Sequence, residues 1–319
     1  MLKRRLGRTR LEIAPLVFGG NVFGWTADKK TSFELLDRFA AAGLNAVDTA
    51  DVYSAWAPGN KGGESETIIG KWLKAGGKRD QVVIITKVGS DMGLGKRCLS
   101  ASYIEQAVEA SLKRLQTEAI DLYLSHWPDP ETPYEETLRA YDNLLRRGKV
   151  RFIGASNLDA GQMKASLAAA TAHNLPRYDV LQPGYNLYDR DGFDGPLAEL
   201  CLAEEIGVIS YFSLAKGFLS GKYRSEADLG KSARGSGVKP YLNPRGMRIL
   251  AALDAVAAIH GATSAEVALA WAAARPGISA PIASATSLPQ LASLIKSVSL
   301  ALTSEDMARL DAASAAEPH

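Results

Sequence analysis

Short apolar runs rich in β-branched residues alternate along this chain with longer amphipathic stretches. The runs "NAVDTA", "VVIITKV", "IDLYLSHW", "VRFIGASN", "DVLQPGYN", "GVISYFSL" and "APIAS" have the length and composition of strands. Between them lie "TSFELLDRFAAAG", "ESETIIGKWLKAGG", "SASYIEQAVEASLKRLQ", "YEETLRAYDNLLRRG", "DAGQMKASLAAATAHN", "LAELCLAEEIG" and "TSAEVALAWAAARPG", several with Ser, Thr or Asp near the start and Gly at the end, as helices prefer. With "LVFGGN" at residues 16 to 21 as the first strand, the count of strands reaches eight. Eight strand–helix units without a composition break or linker predict one (β/α)8 TIM barrel spanning residues 1–319 as a single domain. Residues 2 to 14 have a Gly-centred turn between two polar-apolar arms, a pattern for a hairpin closing the barrel floor.

Residues 215 to 245 form a long loop after the seventh strand, carrying Lys216, Lys222, Arg224, Lys231, Arg234, Lys239 and Arg245 against Glu226 and Asp228. A loop of that length in a compact domain is either functional or simply solvated and mobile; its basic surplus favours function. Elsewhere charge is balanced: the formal net charge of +2 gives no electrostatic case for nucleic acid or an acidic membrane. Cys98 and Cys201 are too few and too far apart for a disulfide framework, and no run approaches the ~18 apolar residues of a membrane span, so a cytoplasmic protein is expected. No H-x-H, H-E-x-x-H or cysteine-pair spacing is present, so no metal site is expected.

Barrels carry their chemistry at the carboxyl ends of the strands. Here the second strand ends in Asp48 with Tyr53 close behind, the third in Lys87, the fourth in His126 and Trp127, the fifth in Ser156 and Asn157, while Gln182 and Tyr211 close the sixth and seventh. Singly each has a bland reading: Asp48 as a loop cap, Lys87 as a solvated strand end, Tyr53 as a rim aromatic. Together they suit proton transfer. A tyrosine is a poor acid at neutral pH, with a pKa of about 10, but a neighbouring ammonium lowers that pKa and an aspartate keeps the ammonium charged and aimed. Tyr53 is then a general acid for a carbonyl oxygen positioned by a neutral His126. His173 and His260 sit near helix C-termini and His319 is terminal, so these three have structural or trivial readings. Glu64 and Glu66 more simply start a helix. Trp25, Trp56 and Trp127, on loops after the first, second and fourth strands, suit the wall of a substrate pocket.

"VDTADVY", "ITKVG", "DLYLSHWP", "IGASN", "LQPGYN" and "SYFSLAKGFLSGKY", in this order, resemble the aldo-keto reductase superfamily over essentially the whole chain, including its branch of potassium-channel β-subunit-like reductases. The resemblance implies a catalytic tetrad of Asp48, Tyr53, Lys87 and His126. It implies that Ser156, Asn157 and Gln182 hold a nicotinamide carboxamide and that Tyr211 stacks on the ring. It also accounts for the lack of a G-x-G-x-x-G fingerprint, since the family lays its cofactor across the barrel mouth. The pyrophosphate would then lie under the basic loop, near Leu214, Gly217 and Lys222. At the adenine end the expected cation is replaced by Ser284, Thr286 and Gln290, so NADP(H) is the family expectation and NAD(H) stays open. The implied reaction is reversible reduction of an aldehyde or ketone to an alcohol, by a protein read as a monomer. Two other readings remain: a cofactor-binding regulatory protein like a channel β subunit, and a Schiff-base aldolase using Lys87.

Overall fold

The computed structural model describes residues 3–315; Leu2 of the expected hairpin and His319 lie outside the described residues. Two short antiparallel strands come first, β1 (Arg4–Arg5) and β2 (Glu12–Ile13), with Arg4 opposite Ile13. Eight parallel strands follow: β3 (Val17–Gly19), β4 (Ala46–Asp48), β5 (Val83–Val88), β6 (Ile120–Ser125), β7 (Val150–Ser156), β8 (Val180–Gln182), β9 (Gly207–Ser210) and β10 (Ile278–Ala283). They close in sequence order, β10 pairing with β3, so the fold is a (β/α)8 barrel.

The pleat sorts each strand into an inward and an outward row. Val17, Ala46, Ile85, Leu122, Leu124, Val180, Ile209, Ala280 and Ile282 form the inner core. Their neighbours Phe18, Val47, Ile84, Tyr123, Leu181 and Val208 belong to the outer core under the helices. The hairpin supplies Leu6, Leu11 and Ile13 to the inner core, and so plugs the barrel floor as its pattern predicts. Its turn presses close: a Cβ on Gly7, which has φ of +55°, would lie 2.3 Å from the backbone nitrogen of Gly207, so only glycine fits.

The outer layer consists of α1 (Lys29–Ala41), α2 (Glu64–Gly76), α3 (Ala101–Leu115), α4 (Tyr134–Arg146), α5 (Ala160–Ala172), α6 (Pro196–Ala203), α7 (Pro244–His260), α8 (Ser264–Ala274), α9 (Leu288–Ser297) and α10 (Ser304–Ser314). Asp28, Asp159 and Thr263 cap α1, α5 and α8 through their side chains, and Gly77 and Gly261 close α2 and α7 in left-handed conformation. His173 caps the end of α5 and His260 is the last residue of α7, in line with their structural reading. Glu64 and Glu66 occupy the first turn of α2, as expected, but Glu66 is fully buried and bonds Arg114 and Thr86.

The loop after β9 is more ordered than a solvated connection. It folds into three 3-10 turns, Ala215–Ser220, Glu226–Lys231 and Gly235–Tyr241, and its last two residues already begin α7. Phe218, Tyr223, Val238 and Tyr241 anchor it in the outer core. Among the described residues no single helix is long and apolar enough to cross a membrane.

Candidate active site

The inward row of each barrel strand continues past the apolar core into polar residues at the carboxyl end. Two residues beyond Ala46 comes Asp48, beyond Ile85 Lys87, beyond Leu124 His126, beyond Val180 Gln182, and beyond Ile209 Tyr211. One parity rule therefore aims all five side chains into the same mouth.

Lys87 is the hub. It is fully buried, and its Nζ donates to Asp48 Oδ2, to the Thr49 backbone oxygen and to Tyr53 Oη, each at 2.8 Å. Three bonds are the full complement of an ammonium, so Lys87 is committed as a donor and offers no lone pair for a Schiff base. Tyr53 Oη also donates to Asp48 Oδ2 at 3.2 Å, and the Tyr53 ring lies 6.0 Å from that of His126. The tetrad expected from the sequence is thus one contiguous cluster.

Its electrostatics differ from the expectation in one respect. Tyr53 does not sit below the usual phenol range; burial first, and then the Asp48 carboxylate, push it well above. Burial likewise lowers Lys87, although Asp48 opposes that shift. The reason is that the site is dry, so the desolvation of a phenolate outweighs the neighbouring cation in the resting protein. Tyr53 is therefore a proton-loaded phenol. His126 is held well below its ordinary pKa by burial, with Lys87 and Arg97 adding repulsion, and is neutral. Its Nδ1 lies 2.9 Å from Ser90 Oγ. With Ser90 as donor, the single ring proton is on Nε2.

The residues expected around a nicotinamide are joined to the tetrad. Gln182 Nε2 donates to Asp48 Oδ1 at 2.8 Å, and the Gln182 backbone oxygen accepts from Ser156 Oγ at 2.7 Å. Asn157, in left-handed conformation at φ 61°, donates to the His126 oxygen and to Ser156 Oγ, and accepts from Tyr211 Oη at 2.7 Å. Tyr211 packs against Gly184, where a Cβ would come within 3.2 Å of its ring. The Asn157 and Ser156 oxygens each keep a second lone pair, so the set has acceptors left for an amide N–H. Leu214 and Gly217 lie in a tight turn, with Gly217 N donating to the Leu214 oxygen and Ala215, Lys216 and Gly217 all at positive φ. Ala215 N and Gly217 N both spend their hydrogens on carbonyl oxygens within the turn.

The remaining expected residues are more dispersed. Lys222 is exposed, its Nζ 5.0 Å from the Tyr223 ring centre. Ser284 Oγ donates to Asn21 Oδ1, whereas Thr286 N and Oγ1 both bond Gln290 Oε1, so these two hold each other at the start of α9 rather than joining the tetrad. Trp25 and Trp56 meet edge to face at 5.8 Å, Trp56 stands 6.0 Å from Tyr53, and Trp127 stacks on His126 at 5.9 Å. Aromatic rings thus run around the tetrad from Trp25 to Trp127.

Sequence reasoning did not assign Ser90, which lies three residues beyond Lys87 in "KVGS". It gave no role to Asp51, the second acid of "VDTADVY". Asp51 is buried, its Oδ1 has no hydrogen-bond partner, and burial, reinforced by Glu66, raises its pKa to about 7. Among the described residues no group of three or more His, Cys, Asp or Glu could hold a metal.

Comparison with known proteins bears on this geometry. Residues 15–315 match the model of the aldo/keto reductase family. The chain is 35% identical to the aldo-keto reductase YhdN of Bacillus subtilis (strain 168), over 93% of this chain and 87% of that protein. It is 31% identical to protein tas of Escherichia coli (strain K12), over 98% and 97% respectively. It is also 31% identical to a probable voltage-gated potassium channel subunit beta of Arabidopsis thaliana, over 93% and 91%.

Proposed function

The chain belongs to the aldo/keto reductase family, and on that premise we propose that it reduces an aldehyde or ketone to an alcohol with a nicotinamide cofactor, NADP(H) by preference. The observation that carries the reading is the bond from Lys87 Nζ to Tyr53 Oη at 2.8 Å, beside an Asp48 that holds both groups.

Ser156, Asn157 and Gln182 would hold the carboxamide, Tyr211 would lie along the ring, and the turn at Leu214 and Gly217, with Lys222 beside it, would face the pyrophosphate. When bound, the reduced nicotinamide supplies a hydride to the carbonyl carbon. The protein supplies the proton. His126, neutral and protonated on Nε2, donates to the substrate carbonyl oxygen and fixes its direction. The Tyr53 hydroxyl hydrogen turns from Asp48 to that oxygen and is transferred as negative charge develops there. The phenolate left behind keeps its bond from Lys87, which also stays bonded to Asp48 Oδ2, while Gln182 holds Asp48 Oδ1. The reverse sequence oxidises an alcohol.

Thr286 and Gln290, paired with each other, offer no full positive charge to a 2′-phosphate, which keeps NAD(H) in play. We also read the chain as one cytoplasmic domain that works as a monomer on a small molecule. A second reading, a cofactor-binding regulatory subunit, draws on the Arabidopsis relative; gel filtration with and without cofactor, with identification of co-purifying proteins, tests it. The main test is a fluorescence titration with NADPH and with NADH, followed by turnover of 4-nitrobenzaldehyde. Tyr53→Phe should lose about 10²- to 10⁴-fold in kcat with cofactor affinity nearly intact. Unchanged turnover in that variant would sink the assignment.

A further inference from the structure

In the closed barrel β5 and β6 lie directly across from β9 and β10. The loops that follow β5 and β6, with the starts of α4 and α5, border a cleft of about 470 Å³. Arg97, Tyr134, Gln162 and three prolines, Pro128, Pro130 and Pro133, line it. Arg97 joins this cleft to the tetrad. Its guanidinium carbon lies 4.3 Å from the centre of the Trp127 ring, and that ring stacks on His126 with 14° between the planes. The charge is near enough to add to the repulsion that keeps the imidazole neutral.

The acids of the cleft are committed, whereas its donors are not. Asp129 accepts from Leu99 N, Glu131 N and Thr132 Oγ1, and Glu131 pairs with Lys96. Gln162 takes part in the capping box of α5 through Oε1, which accepts from Asp159 N, and this leaves the hydrogens on its Nε2 unused. Among the described residues neither the Arg97 guanidinium nor the Tyr134 hydroxyl has a hydrogen-bond or carboxylate partner. A guanidinium held over a ring by cation–π attraction keeps all of its N–H donors, so Trp127 fixes Arg97 without using the fork. The prolines add apolar, conformationally fixed walls between these donors.

From these unused donors on an apolar cleft one ring beyond His126, we infer that the cleft is a distal substrate subsite, which takes a carboxylate at the far end of an elongated carbonyl compound. The carbonyl meets Tyr53 and His126, the frame runs over Trp127, and the carboxylate accepts from Arg97, with Gln162 Nε2 and Tyr134 Oη as neutral donors beside it. One cation and two neutral donors, with Asp129 and Glu131 close by, suit a single negative charge better than a phosphate dianion. The position across the barrel from the turn at Leu214 and Gly217 separates this anion from those of the cofactor. The carbonyl in this inference rests on the reductase reading above; the carboxylate rests on the cleft alone.

The test measures two ratios of kcat/KM at saturating cofactor in the wild type, Arg97→Met and Arg97→Lys. One compares 4′-formylbiphenyl-4-carboxylate with 4′-methylbiphenyl-4-carbaldehyde, the other 4-formylbenzoate with 4-methylbenzaldehyde. The biphenyl ratio should fall about 10-fold in Arg97→Met and recover in part in Arg97→Lys. The benzoate ratio should change less than about 2-fold, because a single ring is too short to carry the carboxylate past Trp127 with its carbonyl at Tyr53. A biphenyl ratio that does not move overturns the inference. An equal fall in both ratios means diffuse attraction by the charge rather than a subsite, and overturns it as well. A wild-type protein that reduces none of these aldehydes removes the reductase reading, and the subsite is then decided by titrating biphenyl-4-carboxylate through tryptophan fluorescence. Binding that weakens about 10-fold in Arg97→Met supports it; equal binding in both proteins, or none, rejects it.

Discussion

Replacing Asp51 by Asn should change the pH dependence of stability in a calculable way. The carboxyl is buried, Oδ1 lacks a partner, and burial together with Glu66 outweighs Arg114 and Lys87 to raise its pKa from 3.8 to about 7. Below pH 3.8 the acid is protonated in both states, and above about 7 it is ionised in both. Between these limits the folded protein binds a proton that the unfolded chain has released, so this residue's contribution to stability falls as pH rises. One pKa unit corresponds to about 1.4 kcal/mol, so between pH 5 and pH 8 the loss is about 2.5 kcal/mol. Asn resembles the protonated acid and does not titrate. Urea unfolding followed by far-UV circular dichroism at pH 5, 6, 7 and 8 gives wild-type minus variant stability, a difference in which the other titrating groups largely cancel. That difference should fall by about 2.5 kcal/mol across the range, most steeply below pH 7. Parallel curves for the two proteins would refute the argument and mean that Asp51 is ionised throughout.

Ser90→Ala removes the hydroxyl bonded to His126 Nδ1, so it should lower kcat for carbonyl reduction about 10-fold with little effect on cofactor binding, while Ser90→Thr retains the hydroxyl and restores most of the loss; steady-state kinetics with a cofactor titration checks it, and equal kcat in all three proteins would remove Ser90 from the network. Gly7→Ala places a methyl group against the backbone of Gly207 at a positive φ, and should destabilise the fold by at least ~1 kcal/mol without changing the tetrad; a wild-type urea midpoint would show that the hairpin floor yields easily.

The alternation of apolar runs and amphipathic stretches determined the barrel, because strands at period 2 and helices at period 3.6 leave different marks in sequence. The same period located the site: Asp48, Lys87, His126, Gln182 and Tyr211 fall on the inward parity of strands whose preceding residues are core. Helix α7 entered the sequence reading only through its end at His260 and was given no bounds, since "RGMRILAALDAVAAIHG" is apolar on most faces and follows a loop whose regular turns carry no periodic signal. What only the tertiary structure decided is everything that depends on distance and burial. Barrel closure brings Lys87 against Tyr53 and Asp48, and the dryness of that contact raises the tyrosine where its neighbours in sequence predicted a lowering. Ser90 reaches His126 across two adjacent strands. In the loop after β9 only packing separates Arg224, Lys231 and Lys239, paired with Asp254, Asp228 and Glu226, from Lys216 and Lys222, which lie over the Phe212 and Tyr223 rings: composition counts charges, whereas their partners are assigned by the packing of the chain.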